Sequence, residues 1–151
     1  MKVNIVNHTK FRLEYKELQS LIEKICIYFL ANKIRNRAQL NIKKEITLVF
    51  LSIKEMKKIN KQFRRKNKPT DILSFSSTDK KSFGELLLCL DILKKQAAEQ
   101  GHSLKKETTY MLIHGILHLL GYDHEISLQE EVLMFRLQDT CFAELVRLEK
   151  T

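Results

Sequence analysis

The stretch from His114 to His124 constrains this chain most, because its histidines stand at positions i, i+4 and i+10. The first two are one helical turn apart and project from the same face of a helix. Gly121 can end that helix with a positive φ and turn the chain back, which brings the third histidine toward the first two. Three protein ligands with an open fourth position are typical of a catalytic zinc site. We therefore predict a metal site formed by His114, His118 and His124.

The apolar surroundings of these histidines favour the same interpretation. Two histidines one turn apart on an apolar helix also occur by chance as ordinary core residues. Here residues 111–113 and 116–117 are apolar, and imidazoles without a ligand would be poorly satisfied among them. We expect one Zn²⁺ per chain, although nickel, cobalt or copper binds similar ligands.

The length and composition predict one soluble globular domain over residues 1–151. Hydrophobic residues make up 44% and charged residues 30% of the chain, which is unlike a disordered protein. No apolar run reaches the about 18 residues of a membrane-spanning helix, and the start lacks the apolar region of a signal peptide. Three scattered cysteines indicate buried thiols in a reducing compartment. We expect a cytoplasmic protein without a membrane partner.

Hydrophobic periodicity predicts an α+β fold with about four strands in one sheet, covered by about five helices. Predicted strands span residues 2–6, 46–51, 71–76 and 83–90. Predicted helices span residues 15–30, 53–63, 91–100 and 128–148, and a further long helix carries His114 and His118. Residues 32–39 are predicted to form a polar connection. Expected helix caps are Asp91, Ser103, and the capping-box pairs Ser52 with Glu55 and Ser127 with Glu130.

Positive charge is concentrated in the first half of the chain, within a formal net charge of +9. Residues 1–70 hold 18 Lys/Arg against 5 Asp/Glu, whereas residues 101–151 hold 5 against 8. Residues 54–68 alone hold eight Lys/Arg and one Glu. Five of these cations fall on one face of a predicted helix, and we call them the basic stripe: Lys54, Lys57, Lys58, Lys61 and Arg65.

The basic stripe is interpreted as a surface for RNA phosphates. Met56, Ile59 and Phe63 form the opposite face of the helix and should be buried against the sheet. A charged stripe is often only a solvated face, but this one lacks the acidic partners that would neutralise it. A polyanionic partner is therefore favoured. Aromatic residues are too sparse there to predict a platform for base stacking.

The residue after the first ligand distinguishes between two kinds of zinc chemistry. The spacing matches the zinc-protease pattern H-E-x-x-H-x-x-G-x-x-H, but Gly115 stands where that pattern has its glutamate, the general base. Peptide hydrolysis by that route should therefore be crippled. Phosphodiester cleavage instead needs stabilisation of negative charge on phosphoryl oxygens, which a metal ion and a guanidinium supply.

Two blocks of the sequence resemble the YbeY family of bacterial zinc-dependent endoribonucleases and rRNA maturation factors. The first is H-G-x-L-H-L-x-G-Y-D-H at residues 114–124. The second is N-x-x-F-R at residues 60–64 followed by P-T-D-I-L-S-F at residues 69–75, close to the family's N-x-x-Y-R and P-T-D-V-L-S-F. The family pattern differs in four places, at Asn67, Ser76, Glu85 and Gln138, where it more often has Asp, Pro, Asp and Glu.

This resemblance implies an α+β fold with a mixed sheet and zinc held by His114, His118 and His124. It implies a single-strand-specific endoribonuclease in which Arg64 is catalytically important. It further implies maturation of the 3′ end of 16S rRNA, ribosome quality control, and the small ribosomal subunit as partner, with no DNA partner expected.

Several other polar residues have two interpretations. Asp123 either orients a ligand histidine or caps the turn. Thr70 and Asp71 either line a cleft or only stabilise the chain near Pro69. The remaining candidates are expected to have no role in the site: Glu107 as a first-turn carboxylate, and His8 and His102 as surface histidines.

Two alternative functions are compatible with parts of this pattern. A ribosome-assembly factor with a structural metal would share the basic stripe and the three histidines. A metalloprotease would share the histidines, and the absence of its glutamate at position 115 opposes it.

Overall fold

A four-stranded sheet lies at the centre of the computed structural model, which describes residues 1–150. The strands are β1 (Lys2–Asn7), β2 (Glu45–Phe50), β3 (Ile72–Ser76) and β4 (Ser82–Leu88). Their spatial order is β1–β2–β4–β3. β1, β2 and β4 are parallel, and β3 pairs antiparallel with β4. The mixed sheet is confirmed, and β3 is an edge strand.

Six helices accompany the sheet, one more than the predicted set. They are α1 (Tyr15–Leu30), α2 (Gln39–Ile42), α3 (Ile53–Arg64), α4 (Leu90–Gln100), α5 (Leu104–Leu119) and α6 (Leu128–Glu149). The additional helix is α2, which begins where the predicted polar connection ends. Its four residues are too few for a periodicity signal.

The boundary between β4 and α4 differs from the prediction. β4 ends at Leu88, and α4 begins at Leu90 with Cys89 as its N-cap, so Asp91 lies inside the first turn. The apolar residues 86–90 supply first the end of the strand and then the start of the helix, and all are buried. An unbroken apolar run cannot mark the residue at which the backbone changes conformation.

Three predicted serine caps are present, but one capping box is incomplete. Ser52 and Glu55 make both reciprocal hydrogen bonds at the start of α3, and Ser103 caps α5. The Ser127 hydroxyl accepts from the backbone N–H of Glu130. The Glu130 carboxylate instead pairs with Arg35, at 2.7 Å from its Nη1.

The main core lies between one face of the sheet and helices α1, α5 and α6. Ten of the sixteen residues of α5 are buried, because α5 packs against the sheet, α4 and α6. A helix that is buried nearly all round has little freedom to shift. The histidines near its C-terminal end are therefore positioned by the core itself.

A smaller core on the opposite face of the sheet anchors α3. It includes Met56 of α3 and Leu73 and Leu87 of the sheet, which alternate with residues that face the main core. Ile59 packs against this cluster as predicted. The prediction for Phe63 is wrong, because its side chain is 60% exposed. Asn60 takes the buried position one turn after Met56 and donates through Nδ2 to the carbonyl of Lys68 at 2.8 Å.

The cysteines are buried and unpaired, as predicted. Burial raises the pKa of Cys26 to about 11 and that of Cys141 to about 12, which keeps both thiols protonated and unreactive. Across residues 1–150, none of the helices combines the length and the apolar character that crossing a bilayer requires.

Candidate metal centre

The three predicted histidines converge. His114 and His118 lie near the C-terminal end of α5, and His124 follows the turn after it. One potential ligand nitrogen from each ring lies within 4.8 Å of the others. The ring centroids are 4.8 Å apart for His114 and His118, and 5.1 Å and 5.2 Å from these to His124. This is a side-chain arrangement in which one metal ion can contact all three rings.

The turn that returns His124 is held by the segment between α1 and α2. Gly121 has a φ of 100°, a conformation that favours glycine. Tyr122 is buried, and its hydroxyl accepts from the backbone N–H of Arg35 at 2.8 Å. Asn36 donates through Nδ2 to the carbonyl of Leu120 at 2.9 Å. Sequence reasoning did not identify Arg35 and Asn36, because they lie more than 80 residues away in the chain.

Burial keeps two of the ligand candidates neutral. It lowers the pKa of His114, and together with the neighbouring imidazoles it lowers the pKa of His118 to about 4. A neutral imidazole has a lone pair available for a metal, whereas a protonated one does not. At neutral pH these rings are therefore in the form that binds a metal.

Gln138 fixes the orientation of the His114 ring. Its amide Nε2 donates to the carbonyl of Tyr110 at 3.2 Å, so its Oε1 accepts from His114 Nδ1 at 2.9 Å. Nδ1 therefore carries the proton, and Nε2 is left with the lone pair. Gln138 is fully buried in α6 between apolar positions. A glutamine within an apolar helical stripe is a signal that sequence reasoning could have used.

His124 provides a test of whether a metal fits this site. Its Nδ1 is buried and has no hydrogen-bond partner among residues 1–150. A buried polar atom without a partner is costly. A metal ion bound by this nitrogen would supply the missing partner. The neutral state of His114 and His118, the convergence of the three rings and this nitrogen all fit a metal held by three histidines.

Asp123 caps the turn, which is one of its two predicted roles. Its Oδ1 accepts from the backbone N–H of Glu125 at 2.9 Å. Asp123 also lines the cleft beside the histidines. Its predicted role in orienting a ligand histidine stays a prediction.

The histidine cluster lies in the lining of a cleft of about 620 Å³, a size typical of ligand sites. The cleft also contacts the edge strand β3 and the loop before it. Thr70 and Asp71 line it, as one interpretation held. Asp71 is also structural, because its carboxylate accepts from the N–H of Ile72 at 2.7 Å and from Gln96 Nε2 at 3.2 Å.

Three cations from the end of α3 and the following loop line the same cleft. They are Arg64, Lys66 and Lys68. Arg64 binds Glu125 next to His124, with 2.5 Å between Nη2 and Oε1. The cleft thus places a guanidinium and two ammonium groups with the three imidazoles. Sequence reasoning singled out Arg64 but not the two lysines, which lie beyond the helix where helical spacing carries no information.

The basic stripe lies outside this lining. Lys54, Lys57, Lys58 and Lys61 are exposed on α3. Arg65 does not continue their helical face, because it is the C-cap of α3 and has a left-handed φ of 58°. The cleft lining itself holds three carboxylates, Asp71, Asp123 and Glu125, beside its three cations, so the stripe is the more uniformly basic surface. The predicted contact of the stripe with RNA stays a prediction.

Two residues expected to have no special role form a partly buried pair. Glu107 is a carboxylate of the first turn of α5, as predicted, but it is buried, with 5% of its surface exposed. Its Oε2 lies 2.5 Å from His102 Nε2, and the His102 side chain is 22% exposed. The surface prediction for His102 is therefore wrong, because the start of α5 folds against α6 and covers the pair. His8 is exposed, as predicted, and contacts Glu55.

Gly115 allows α5 to pack closely on the sheet. A Cβ at this position would lie 2.8 Å from Leu86 Cδ2 and 2.9 Å from Ile72 Cδ1, both tighter than normal contacts. A glutamate here would first have to displace these two buried side chains. The absence of the protease base therefore has a packing reason, and the geometry argues further against a metalloprotease.

Removing the Gln138 amide should weaken metal binding. Gln138→Leu keeps the side-chain volume but leaves His114 Nδ1 without an acceptor, so zinc affinity should fall by about 10- to 100-fold. Competition with a chromophoric chelator measures this loss. Gln129→Leu, an exposed position on the same helix, is the matched control and should bind zinc normally. Equal affinity in the two variants would remove Gln138 from the site.

The metal-free protein should lose stability as pH falls. The folded pKa of His118, about 4, lies below its ordinary value of 6.5, so the unfolded chain binds more protons between these values. The contribution is fully present above pH 6.5 and is lost as pH falls toward about 4. Thermal unfolding with a chelator, compared between wild type and His118→Gln, measures it. We expect Tm to decrease less with falling pH in the variant than in wild type. Parallel curves of Tm against pH would show that the lowered pKa of His118 does not contribute to stability.

Comparisons with known proteins agree with this geometry. A family model described as Endoribonuclease YbeY matches residues 4–146. The Endoribonuclease YbeY of Bdellovibrio bacteriovorus is 44% identical over 147 residues, with 97% of each chain covered. That of Petrotoga mobilis is 33% identical over 150 residues, again with 97% of each chain covered.

A solved structure agrees as well. The solution structure of TM1509 from Thermotoga maritima is similar with a TM-score of 0.63 at 29% identity, covering 98% of this chain and 91% of that one. The matched range contains the histidine cluster, Arg64 and Gln138. The resemblance predicted from the two sequence blocks is confirmed, and this chain belongs to the endoribonuclease YbeY family.

Proposed function

We propose that this protein is a zinc-dependent endoribonuclease that hydrolyses phosphodiester bonds in single-stranded RNA. One observation carries the proposal: three converging histidines and three cations line a single open cleft. Imidazole ligands favour zinc over magnesium and calcium, which prefer oxygen ligands. The family to which the chain belongs supports RNA as the substrate.

His114, His118 and His124 would hold the metal. When bound there, zinc supplies a Lewis acid for a phosphoryl oxygen and lowers the pKa of water. Gln138 holds the proton of His114 on Nδ1, which keeps Nε2 free for ligation. Asn36 and Arg35 hold the turn that returns His124.

Arg64 is proposed as the catalytic residue that binds the reacting phosphate. A guanidinium offers two parallel N–H donors to a phosphate and stabilises the negative charge that grows on it. In the free protein this group is held by Glu125. Substrate phosphate would therefore have to replace that carboxylate. Before RNA binds, the ion pair with Glu125 keeps the Arg64 guanidinium at the cleft.

Burial of the ligands supports a preference for single strands. His114 is 8% exposed, and the edge strand β3 and the loop before it line the same cleft. A flexible single strand can lower one phosphate into such a cleft, whereas a duplex keeps its phosphates on a stiff cylinder. Lys54, Lys57, Lys58, Lys61 and Arg65 would bind phosphates outside the cleft.

The biological role that we propose rests on family membership and on the positive charge. It is maturation of the 3′ end of 16S rRNA and ribosome quality control, with the small ribosomal subunit as partner. This role places the protein in the cytoplasm. We also propose that residues 1–151 form a single domain.

Cleavage assays on matched RNAs test the activity. The zinc-loaded protein should cut a 3′-extended 16S rRNA fragment in its unpaired segment and leave the same segment intact when a complementary strand covers it. Absence of cleavage would contradict the proposal. If in addition the ligand variants lost both stability and ribosome association, the chain would be an assembly factor with a structural metal.

RNA binding should weaken steeply with salt. Each phosphate contact on a single strand contributes about −0.7 to the slope of log K against log salt, so Lys57→Gln with Lys61→Gln should reduce that slope by about 1.4. Lys24→Gln, at an exposed position on α1, is the control and should change little. Fluorescence anisotropy over a salt series measures the slope for each variant. An unchanged slope in the double variant would show that the basic stripe does not contact RNA phosphates.

A further inference from the structure

Phe63 is an exposed aromatic residue within a basic surface. Its side chain is 60% exposed, although α3 packs on the sheet through the same side of the helix. The next residues along the chain, Arg64, Arg65 and Lys66, are cationic and exposed. A large apolar ring that is mostly exposed contributes less to folding than a buried one, and exposed rings among cations are a common element of nucleic-acid surfaces.

The ring is held in place without being covered. Phe75 of β3 contacts it at a centroid distance of 5.2 Å and an interplanar angle of 71°. Phe75 is itself half-buried and packs against the smaller core. An edge-to-face contact of this kind favours one orientation of the ring. Phe63 therefore has little rotational freedom to lose when a ligand binds.

Phe63 immediately precedes Arg64 at the C-terminal end of α3, although it is not itself among the residues that line the cleft. Asn60, Phe63 and Arg64 occupy positions i, i+3 and i+4 on α3, which lie on one side of a helix. Asn60 and Arg64 line the cleft. Phe63 and Arg64 are consecutive in the chain, so an RNA strand whose phosphate reaches Arg64 passes within one nucleotide's reach of the exposed ring.

We propose that Phe63 is a stacking platform for a nucleobase of single-stranded RNA, next to the nucleotide whose phosphate Arg64 binds. The inference rests on the proposed function and adds a base-recognition element to it. Every base has a flat face, so the platform selects unpaired nucleotides over paired ones without selecting a sequence. It differs from the expectation drawn from the sequence, which identified no platform for base stacking in this region.

Steady-state cleavage by the zinc-loaded full chain tests the platform. Phe63→Leu keeps an apolar side chain that can contact Phe75 but has no aromatic face. We expect KM for unpaired RNA to rise about tenfold or more and kcat to stay within about twofold. Phe63→Trp, with a larger face, should match or exceed wild type. Ile53→Ala, at another exposed apolar position of α3, is the matched control and should not change KM.

An abasic competitor separates stacking from a structural effect. An abasic oligomer of the same length presents phosphates without bases, so its inhibition constant should be equal for wild type and Phe63→Leu. An equal rise in this constant and in KM would overturn the proposal, as would an unchanged KM in Phe63→Leu. If wild type does not cleave RNA at all, the proposed function fails together with the platform. If it cleaves and Phe63→Leu behaves like wild type, the platform alone fails.

Discussion

The His118→Ala variant should lose its bound zinc and more than about 100-fold of its RNA cleavage. Residues that only orient a metal ligand already contribute about 10- to 100-fold to metal affinity or activity, so removal of a ligand should have a larger effect. Elemental analysis and cleavage of unpaired RNA measure the two losses in one preparation. Circular dichroism verifies that the variant is folded, as we expect because the main core is apolar.

Two further variants make this result specific to the cluster. His8→Ala removes an exposed histidine outside the cleft and should retain both zinc and activity. His124→Ala should behave like His118→Ala, because its ring lies 5.2 Å from that of His118. Full zinc content and normal cleavage in His118→Ala would show that the three histidines are not the catalytic site.

The Arg64→Ala variant should keep its zinc and lose about 100- to 1,000-fold in kcat. Arg64 is not one of the three candidate metal ligands, so its loss should not release zinc. Its proposed contact with the phosphate strengthens only as negative charge develops there in the transition state. Arg64→Lys restores the charge but not the paired donors, so it should recover only part of the loss. Rates at saturating RNA, together with zinc content, measure these effects.

Neighbouring residues provide the controls for Arg64. Arg65 is the next cation in the chain and lies outside the cleft lining, so Arg65→Ala should change kcat by no more than about twofold. Glu125→Gln releases Arg64 from its ion pair and should lower KM for RNA. If Arg64→Ala and Arg65→Ala had equal and small effects, Arg64 would be only one cation among several.

The sequence was most informative where function depends on local spacing. Positions i and i+4 place His114 and His118 on one helix face in any α-helix, and Gly121 permits the turn that follows. Capping at Ser52 and Ser103 is equally local and was predicted correctly. The four strands were predicted from alternating and buried apolar runs, and only their ends shifted.

Features that depend on distant contacts were not predictable in this way. Gln138 differs from other residues of α6 only because Tyr110 and His114 lie beside it in the fold. The pair of Glu107 and His102 depends in the same manner on tertiary packing. Phe63 has the helical spacing of a core residue, but Asn60 occupies the buried position and leaves the ring in solvent.

Stepwise return of zinc to metal-stripped protein tests the central claim most directly, because it relates the histidine cluster to RNA cleavage in one titration. The stripped protein should be inactive, and cleavage should rise in proportion to bound zinc until one ion per chain is present. His118→Ala should show no such rise at the same zinc concentrations. Cleavage by the stripped protein, or cleavage that does not follow zinc occupancy, would contradict a metal-dependent ribonuclease at this site.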